Sequence, residues 1–385
     1  MRSACTSEID DVDDAVAEIV EQLDLEKGLL QNSVGILGCN SEYLELGTVE
    51  ELCKRLPFEV IGSTAMASST CGKYGAELLS LSVLTSDDVT FATACTEPLT
   101  SGDIGEVRDL IKTAYDRARA KLSEDPSLVI AAFPVVMDVG GSTVLGEIDN
   151  LCGGVPVFGV VAIDQLLRFE SSFTIWNGTR HPSSVVLLLM QGNVNPTFHL
   201  TAFPEKNVQK QKAIITEADG CLLKKVNEML FMDYLSTLGL TRKDANATGA
   251  VPLLVDYGSG TKPVAIGIYR ITPEGYAVCG SEPPVGSALS LGVINYDGIM
   301  ETAELSLKNV KNRKEINGVL MFPCMSRAQM ISPNSMDEMK KVIDTLGSEV
   351  PYMLCYSGGE ICPIYGGDGK IYNHFHNFTF TACVF

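Results

Sequence analysis

Long apolar runs are missing from this chain of 385 residues. The longest, Val185–Met190, is strand-length, far short of the roughly 18 residues that a bilayer-spanning helix needs. The beginning also lacks the apolar stretch of a signal peptide. Met1-Arg-Ser-Ala-Cys5 runs straight into Glu8, Asp10, Asp11, Asp13 and Asp14, which argues against export. Asn-x-Thr sequons such as Asn177-Gly-Thr179 then carry no consequence, and the twelve scattered cysteines read as reduced thiols in the cytoplasm. Basic residues are too few for a phosphate-binding surface. Lys and Arg number 29 against 48 Asp and Glu, a net charge of −19, which speaks against nucleic acid and anionic membranes. The one dense basic stretch, Lys206–Lys212, reads as an exposed loop.

Motifs with a built-in mechanism are missing too. No phosphate-cradling Gly-x-x-x-x-Gly-Lys-Ser/Thr loop occurs, and no Gly-x-Gly-x-x-Gly follows a strand. There is no Gly-x-Ser-x-Gly elbow and no Cys-x-x-Cys pair. Histidine is scarce: His181, His199, His374 and His376 are all there are. On a strand, His374 and His376 share a face, a spacing that suits a metal or haem ligand. Their place after Gly366-Gly-Asp-Gly369 suits a polar hairpin end equally well.

What is present is a unit that recurs three times: an apolar strand, a helix, a second strand into a turn, and a closing apolar strand. Copy one comprises Ser33–Gly38, a helix at Thr48–Leu56, Phe58–Gly62 and Glu77–Leu84. Copy two comprises Leu128–Phe133, a helix at Thr143–Leu151, Val155–Gly159 and Ser184–Met190. Copy three comprises Gly318–Phe322, a helix at Ser335–Leu346, Val350–Leu354 and Phe378–Phe385. Capping boxes, Thr48-x-x-Glu51 and Ser335-x-x-Glu338, are expected at the start of two of these helices. Two further helices, Val12–Leu23 capped by Asp10 or Asp11 and Glu106–Leu122, follow from apolar residues at helical spacing. An insertion of different character separates copies two and three. It is read as a helix over Cys221–Leu238, strands at Leu253–Tyr257, Val264–Ile271, Tyr276–Cys279 and Ala288–Asn295, then a helix at Ile299–Val310. The expected fold is α/β of the α+β type: two domains, 1–222 and 223–385, of mixed and largely antiparallel sheets packed with helices.

Chemistry concentrates in copy three. In Phe322-Pro-Cys-Met-Ser-Arg327 the strand opens into a loop that carries Cys324 and Arg327. An arginine there can grip a carboxylate with its fork and lower a thiol pKa. Glu360 ends the neighbouring strand and Asn377 opens the closing one, so the four can converge at one edge. The plainer reading makes Arg327 and Glu360 an internal ion pair and Cys324 a small core residue. Ser63, Thr64 and Asp164 offer a second polar cluster in the first domain.

These stretches resemble the FIST family, named for F-box and intracellular signal transduction, whose members combine FIST-N and FIST-C domains. Cys324-Met-Ser-Arg327 corresponds to its Cys-x-Gly-Arg, Gly359-Glu-Ile361 with Pro363 to its Tyr-Gly-Glu-Ile, and Asn377-Phe-Thr379 to its Asn-x-Thr. In the N-terminal part, Gly62-Ser-Thr64 and Gly159-Val-Val-Ala-Ile-Asp164 stand for Gly-Cys-Ser-Thr and Gly-Gly-x-Ala-x-Asp. Ser326 replaces a glycine, Ser357-Gly358 replaces the aromatic approach to the glutamate, and Gly-Cys-Ser-Thr loses its cysteine. The resemblance implies a cytoplasmic, non-catalytic sensory module for a small ligand, with amino acids proposed. No cofactor is expected, although some members use haem, for which His374 and His376 are the candidates. No kinase, cyclase or chemotaxis segment follows Phe385, so signalling is expected to run through a separate partner protein. In that reading Arg327 holds a ligand carboxylate and Glu360 an amine, with Cys324, Asn377, Ser63, Thr64 and Asp164 as further ligand-binding candidates. Two alternatives are a hydrolase or transferase with Cys324 as nucleophile and His376 as base, and a protein–protein adaptor.

Overall fold

Each repeat begins with a strand that is apolar at every position rather than at alternate ones, the pattern of a strand buried on both faces. The computed structural model, which describes residues 1–135, 139–167, 169–246, 251–258, 260–347 and 349–385, shows why. Three six-stranded sheets stand around a common core, and each carries helices on its outer face.

Sheet I runs β1 (Arg2–Thr6), β6 (Leu79–Ser86), β2 (Asn32–Cys39), β3 (Val60–Thr64), β10 (Thr174–Trp176), β11 (Thr179–His181). Sheet II runs β7 (Thr90–Cys95), β12 (Val186–Gln191), β8 (Leu128–Phe133), β9 (Val157–Val161), β24 (Glu360–Tyr365), β25 (Ile371–His376). Sheet III runs β13 (Thr197–Thr201), β26 (Phe380–Val384), β22 (Val319–Pro323), β23 (Tyr352–Cys355), β4 (Ser68–Thr70), β5 (Lys73–Gly75). In all three, the first and second strands of the repeat are parallel and the closing strand is antiparallel to the first. The helices between the parallel strands are α4 (Thr48–Arg55), α6 (Gly141–Cys152) and α11 (Asp337–Leu346).

The outermost hairpin of each sheet belongs to another copy. Copy two lends β10–β11 to sheet I, copy three lends β24–β25 to sheet II, and copy one lends β4–β5 to sheet III. Equivalent backbone bonds repeat around this cycle. Ala65 N, Ala162 N and Ser357 N donate to Cys39 O, Phe133 O and Pro323 O, each at 2.9 Å. Met66 N, Ile163 N and Gly358 N reach across to Tyr356 O, Thr64 O and Val161 O at 3.3, 3.2 and 3.0 Å. The molecule therefore has pseudo-threefold order.

Strand alternation sorts the side chains. Ile36, Ile130 and Leu320 face the shared core, where Phe158 stacks on Phe322 with ring centroids 5.2 Å apart. Leu37, Ala131 and Met321 face outward to the helices. Those layers hold α1 (Val12–Leu23) on sheet I and α5 (Ile104–Arg119) with α6 on sheet II, while α9 (Tyr296–Lys311) and α11 cover sheet III. At Gly159 a β-carbon would stand 2.1 Å from Ala131 O, so the parallel strands approach too closely there for any larger residue.

The insertion forms a fourth, antiparallel sheet in the order β18 (Val264–Ile266), β17 (Leu253–Val255), β21 (Ala288–Leu291), β14 (Ala213–Asp219), β15 (Leu222–Val226), β20 (Ala277–Cys279), β19 (Ile268–Ile271), with β16 (Met229–Leu230) paired to β15. Short helices α2 (Leu25–Gly28), α3 (Glu42–Glu45), α7 (Phe231–Thr237), α8 (Arg242–Asn246) and α10 (Met325–Met330), with a 3-10 turn at Glu205–Asn207, complete the described elements.

Three local expectations fail. Val264–Ile271 is not one strand: it divides at Gly267 into β18 and β19, which stand at opposite ends of the fourth sheet. Cys221–Leu238 is not one helix. Asp219-Gly220 is a hairpin turn, with Gly220 at φ 52°, so Leu222–Val226 pairs with β14 and only Phe231–Thr237 is helical. Neither capping box forms. The cap of α4 is Gly47 at φ 83°, which leaves the Thr48 hydroxyl buried without a partner among the described residues. At α11, Glu338 turns inward instead of back along its helix. The Asp11 cap of α1 does form, accepting from Asp14 N at 3.0 Å.

Candidate functional site

The threefold order marks one position as exceptional. Ser68, Thr174 and Glu360 each open a lent hairpin, opposite Cys355, Ser63 and Val160 of the host sheet. Ser68 Oγ donates to Leu78 O at 2.8 Å and Thr174 Oγ1 to Ser184 O at 2.7 Å, so two copies fill the place with a small, self-satisfied hydroxyl. Copy three puts a fully buried carboxyl there. Glu360 accepts from Ser357 Oγ at 2.8 Å, and from Thr379 N at 3.2 Å and Oγ1 at 2.8 Å. Burial nonetheless pushes it well above the ordinary carboxylate range, because those bonds only partly offset desolvation. Cys324 lies beside it, buried, and burial followed by the Glu360 charge raises its thiol. Asn377 Oδ1 accepts from Gly267 N at 2.8 Å, and the hydroxyl of Tyr269 reaches in to the same amide while its ring stays half-exposed. Cys324 and Glu360 thus stand in contact, and Asn377 ties the adjoining strand to the insertion sheet.

Arg327 does not share that network. All five of its N–H groups are engaged: Nε and Nη2 reach Glu338 Oε1 at 3.0 and 2.5 Å, Nη2 also meets Thr302 Oγ1 and Ile299 O, and Nη1 donates to Phe378 O and Ala202 O. Burial acts to lower its pKa, but Glu338 outweighs that and keeps the guanidinium charged. Tyr356 donates to the other Glu338 oxygen at 2.9 Å. The ion-pair partner is therefore Glu338, not Glu360. The void beside Arg327 holds about 10 Å³, room for one water and not for an amino acid. Sequence reasoning had spent Glu338 on a helix cap, and the spacing Arg327-x10-Glu338 gave no other signal.

Thr64 and Asp164 are also brought together. Thr64 and Phe173 exchange bonds, Thr64 N to Phe173 O at 2.8 Å and Phe173 N to Thr64 Oγ1 at 2.9 Å, while Asp164 Oδ2 accepts from Ser172 Oγ at 3.3 Å. Ser63 faces a central void of about 10 Å³. All three are buried.

A space large enough for a small molecule lies elsewhere. A cleft of about 460 Å³ opens between α6, the insertion sheet and β25. His374 lines it and His376 does not. The Tyr257 ring meets His374 edge-on at 5.1 Å and its hydroxyl donates to Glu282 O at 2.7 Å. Burial lowers His374 to about 4, so it is neutral at physiological pH. Asn373 fixes one wall through Asp149 Oδ1 at 2.6 Å and Val155 O at 2.9 Å. Glu282 Oε1 accepts from Thr143 Oγ1 at 2.9 Å across the opening. The lining has two carboxylates, Asp149 and Glu282, and no Lys or Arg among the described residues. No motif could reveal it, because Ser142, Asp149, Tyr257, Glu282 and His374 come from four distant segments.

Haem does not fit these residues. His376 Nε2 is bonded to Cys362 O at 3.0 Å and its Nδ1 is buried, which leaves His374 alone, in a cleft without a cation to meet the propionates. Among the described residues no group of three or more His, Cys, Asp or Glu could hold a metal ion, and no helix is long and apolar enough to cross a membrane.

The chain matches the FIST N domain over residues 33–229 and the FIST C domain over residues 230–363. No curated protein matches significantly. Among solved structures, a cyanuric acid hydrolase from A. caulinodans aligns over 99% of this chain and 98% of its own, at 10% identity and a TM-score of 0.36. A second cyanuric acid hydrolase structure aligns over 100% and 98%, at 9% identity and a TM-score of 0.36. At those scores neither likeness carries an argument.

Proposed function

The chain belongs to the FIST family, whose domains are associated with sensory signal transduction, and from that premise we propose that it is a non-catalytic cytoplasmic sensor of a small amine-bearing molecule. The observation that carries this reading is the cleft of about 460 Å³ that joins α6, from the FIST N part, to the 281–285 loop of the FIST C part. Asp149 and Glu282 attract a cation, and the rings of Tyr257, His374 and Phe375 give it apolar and π surface. A ligand seated there draws the two parts together, and a separate partner protein reads the change. Cys324 and Glu360 stand behind the cleft as a buried network rather than as nucleophile and acid. A thiol raised by burial and out of contact with solvent is a poor nucleophile, which weighs against the hydrolase reading.

Thermal-shift and calorimetric screening with free amino acids, amines and amine-free carboxylates tests the proposal. Amines and amino acids are expected to raise Tm in the native protein, and at least tenfold less affinity is expected for Glu282→Gln and for Asp149→Asn. Binding confined to amine-free carboxylates, or unchanged in both variants, refutes it.

A further inference from the structure

One pair of thiols stands apart from the ten other cysteines. Cys71 occupies the tip of the β4–β5 hairpin, the one that copy one lends to sheet III, and is exposed. It adopts the left-handed region at φ 51°, where a non-glycine residue is uncommon, directly before Gly72 at φ 75°. Cys5, on β1 of sheet I, is buried beneath it. The Cys5 thiol lies 3.9 Å from the carbonyl oxygen of Thr70, the residue directly before Cys71, which brings it up beside the Cys71 sulfur. The Thr70 hydroxyl stands 3.8 Å from that same sulfur. Contact with the Cys5 thiol is the main cause that lowers Cys71 to about 7, with Thr70 and Lys73 adding to it against burial. An accessible thiolate at neutral pH backed by a second thiol is the arrangement of a reacting cysteine with its resolving partner.

We propose that Cys71 and Cys5 form a reversible disulfide in response to hydroperoxides. The Cys71 thiolate attacks the terminal peroxide oxygen, the O–O bond breaks, and the product is a sulfenic acid plus hydroxide or alkoxide. Cys5, which the Cys71 contact and burial hold as the protonated thiol, then attacks the Cys71 sulfur and passes its proton to the sulfenic oxygen. The S–S bond forms, the S–O bond breaks, and the oxygen leaves as water with the thiol proton. Two electrons pass from the thiol pair to one peroxide, and a dithiol reductant reverses the change. The bond ties sheet I to the hairpin on the edge of sheet III, so oxidation state is written into the contact between repeats. In a reducing compartment such a bond persists only while oxidant does.

Peptide mapping of the full chain after treatment with hydrogen peroxide tests this. Trypsin releases Cys5 on Ser3–Lys27 and Cys71 on Leu56–Lys73, each the sole cysteine of its peptide, so the cross-linked product is unambiguous. The linked pair is expected within minutes and is expected to vanish with dithiothreitol. Cys71→Ser removes it. In Cys5→Ser the Cys71 sulfenic acid persists and is trapped by dimedone. Because Cys5 is buried, Cys5→Ala serves as a second variant with the same expected trapping. Oxidation of native Cys71 straight to sulfinic acid, a Cys71–Cys71 dimer as the main product, or alkylation of Cys71 no faster than of Cys53 each overturns the proposal.

Discussion

Replacing Arg327 by methionine separates a ligand-gripping arginine from a structural one. The substitution keeps most of the apolar stem and removes the charge from a side chain that is 1% exposed. Glu338, itself 0% exposed, then keeps only the Tyr356 hydroxyl as a hydrogen-bond donor, while the carbonyls of Ile299 and Phe378 lose their charged donor. Breaking a buried ion pair from one side leaves an uncompensated charge and costs about 3–5 kcal/mol. The variant's unfolding midpoint in urea should fall by that equivalent at pH 8. The double variant Arg327→Met with Glu338→Leu removes both charges and should recover most of the loss, since an apolar pair of similar volume is often neutral or better. Urea titrations followed by near-ultraviolet circular dichroism measure all four corners of the cycle. A single variant within about 1 kcal/mol of the native protein, or a double variant no better than the single, refutes the structural assignment.

Glu360→Gln should flatten the alkaline side of the stability profile. The folded pKa of Glu360 is raised above its unfolded value, so its contribution is complete below about pH 4.5 and is lost as pH rises through the folded pKa, at up to about 1.4 kcal/mol per pH unit. Parallel profiles for variant and native protein over pH 5–8 contradict this. His374 is shifted the other way, to about 4, so its contribution is present above about pH 6.5 and is lost as pH falls toward 4. Its imidazole proton resonances should titrate with a midpoint near 4, and a midpoint near 6.5 refutes its burial beside Tyr257. Gly159→Ala should cost about 1–3 kcal/mol, read as a drop in Tm, because the new methyl meets Ala131 O. An unchanged Tm would mean that the strands can part there.

The repeat was legible because its signal is redundant: apolar strands, a helix and a closing strand recur at similar spacing in three places, and each copy corroborates the others. The exchange of hairpins was not legible. Ser68–Thr70 and Glu360–Tyr365 carry the same alternation whichever sheet they join, and pairing between segments about 200 to nearly 300 residues apart leaves no local mark. Cys324, Glu360 and Asn377 could be read as neighbours of one sheet edge because each flanks a strand of one repeat. Arg327 was misassigned because its partner sits on a helix whose first turn also satisfied a capping pattern. Leu222–Val226 was read as helix because Leu, Leu and Val at short spacing fit either period, and Asp219-Gly220 was the overlooked arbiter. The cleft was invisible because its walls share no segment.

The cyclic lending of hairpins also dictates an order of assembly. As the chain emerges during synthesis, sheet I can close once residue 181 is available, but the open edge of β9 must wait for β24, made some 200 residues later. Through that interval β4–β5 has no host strand, because β23 is also still to come. Unpaired edges recruit other chains. A fragment that stops at residue 229, where the two family domains meet, is therefore expected to aggregate, and adding the remainder as a separate chain should rescue it by supplying both missing edges.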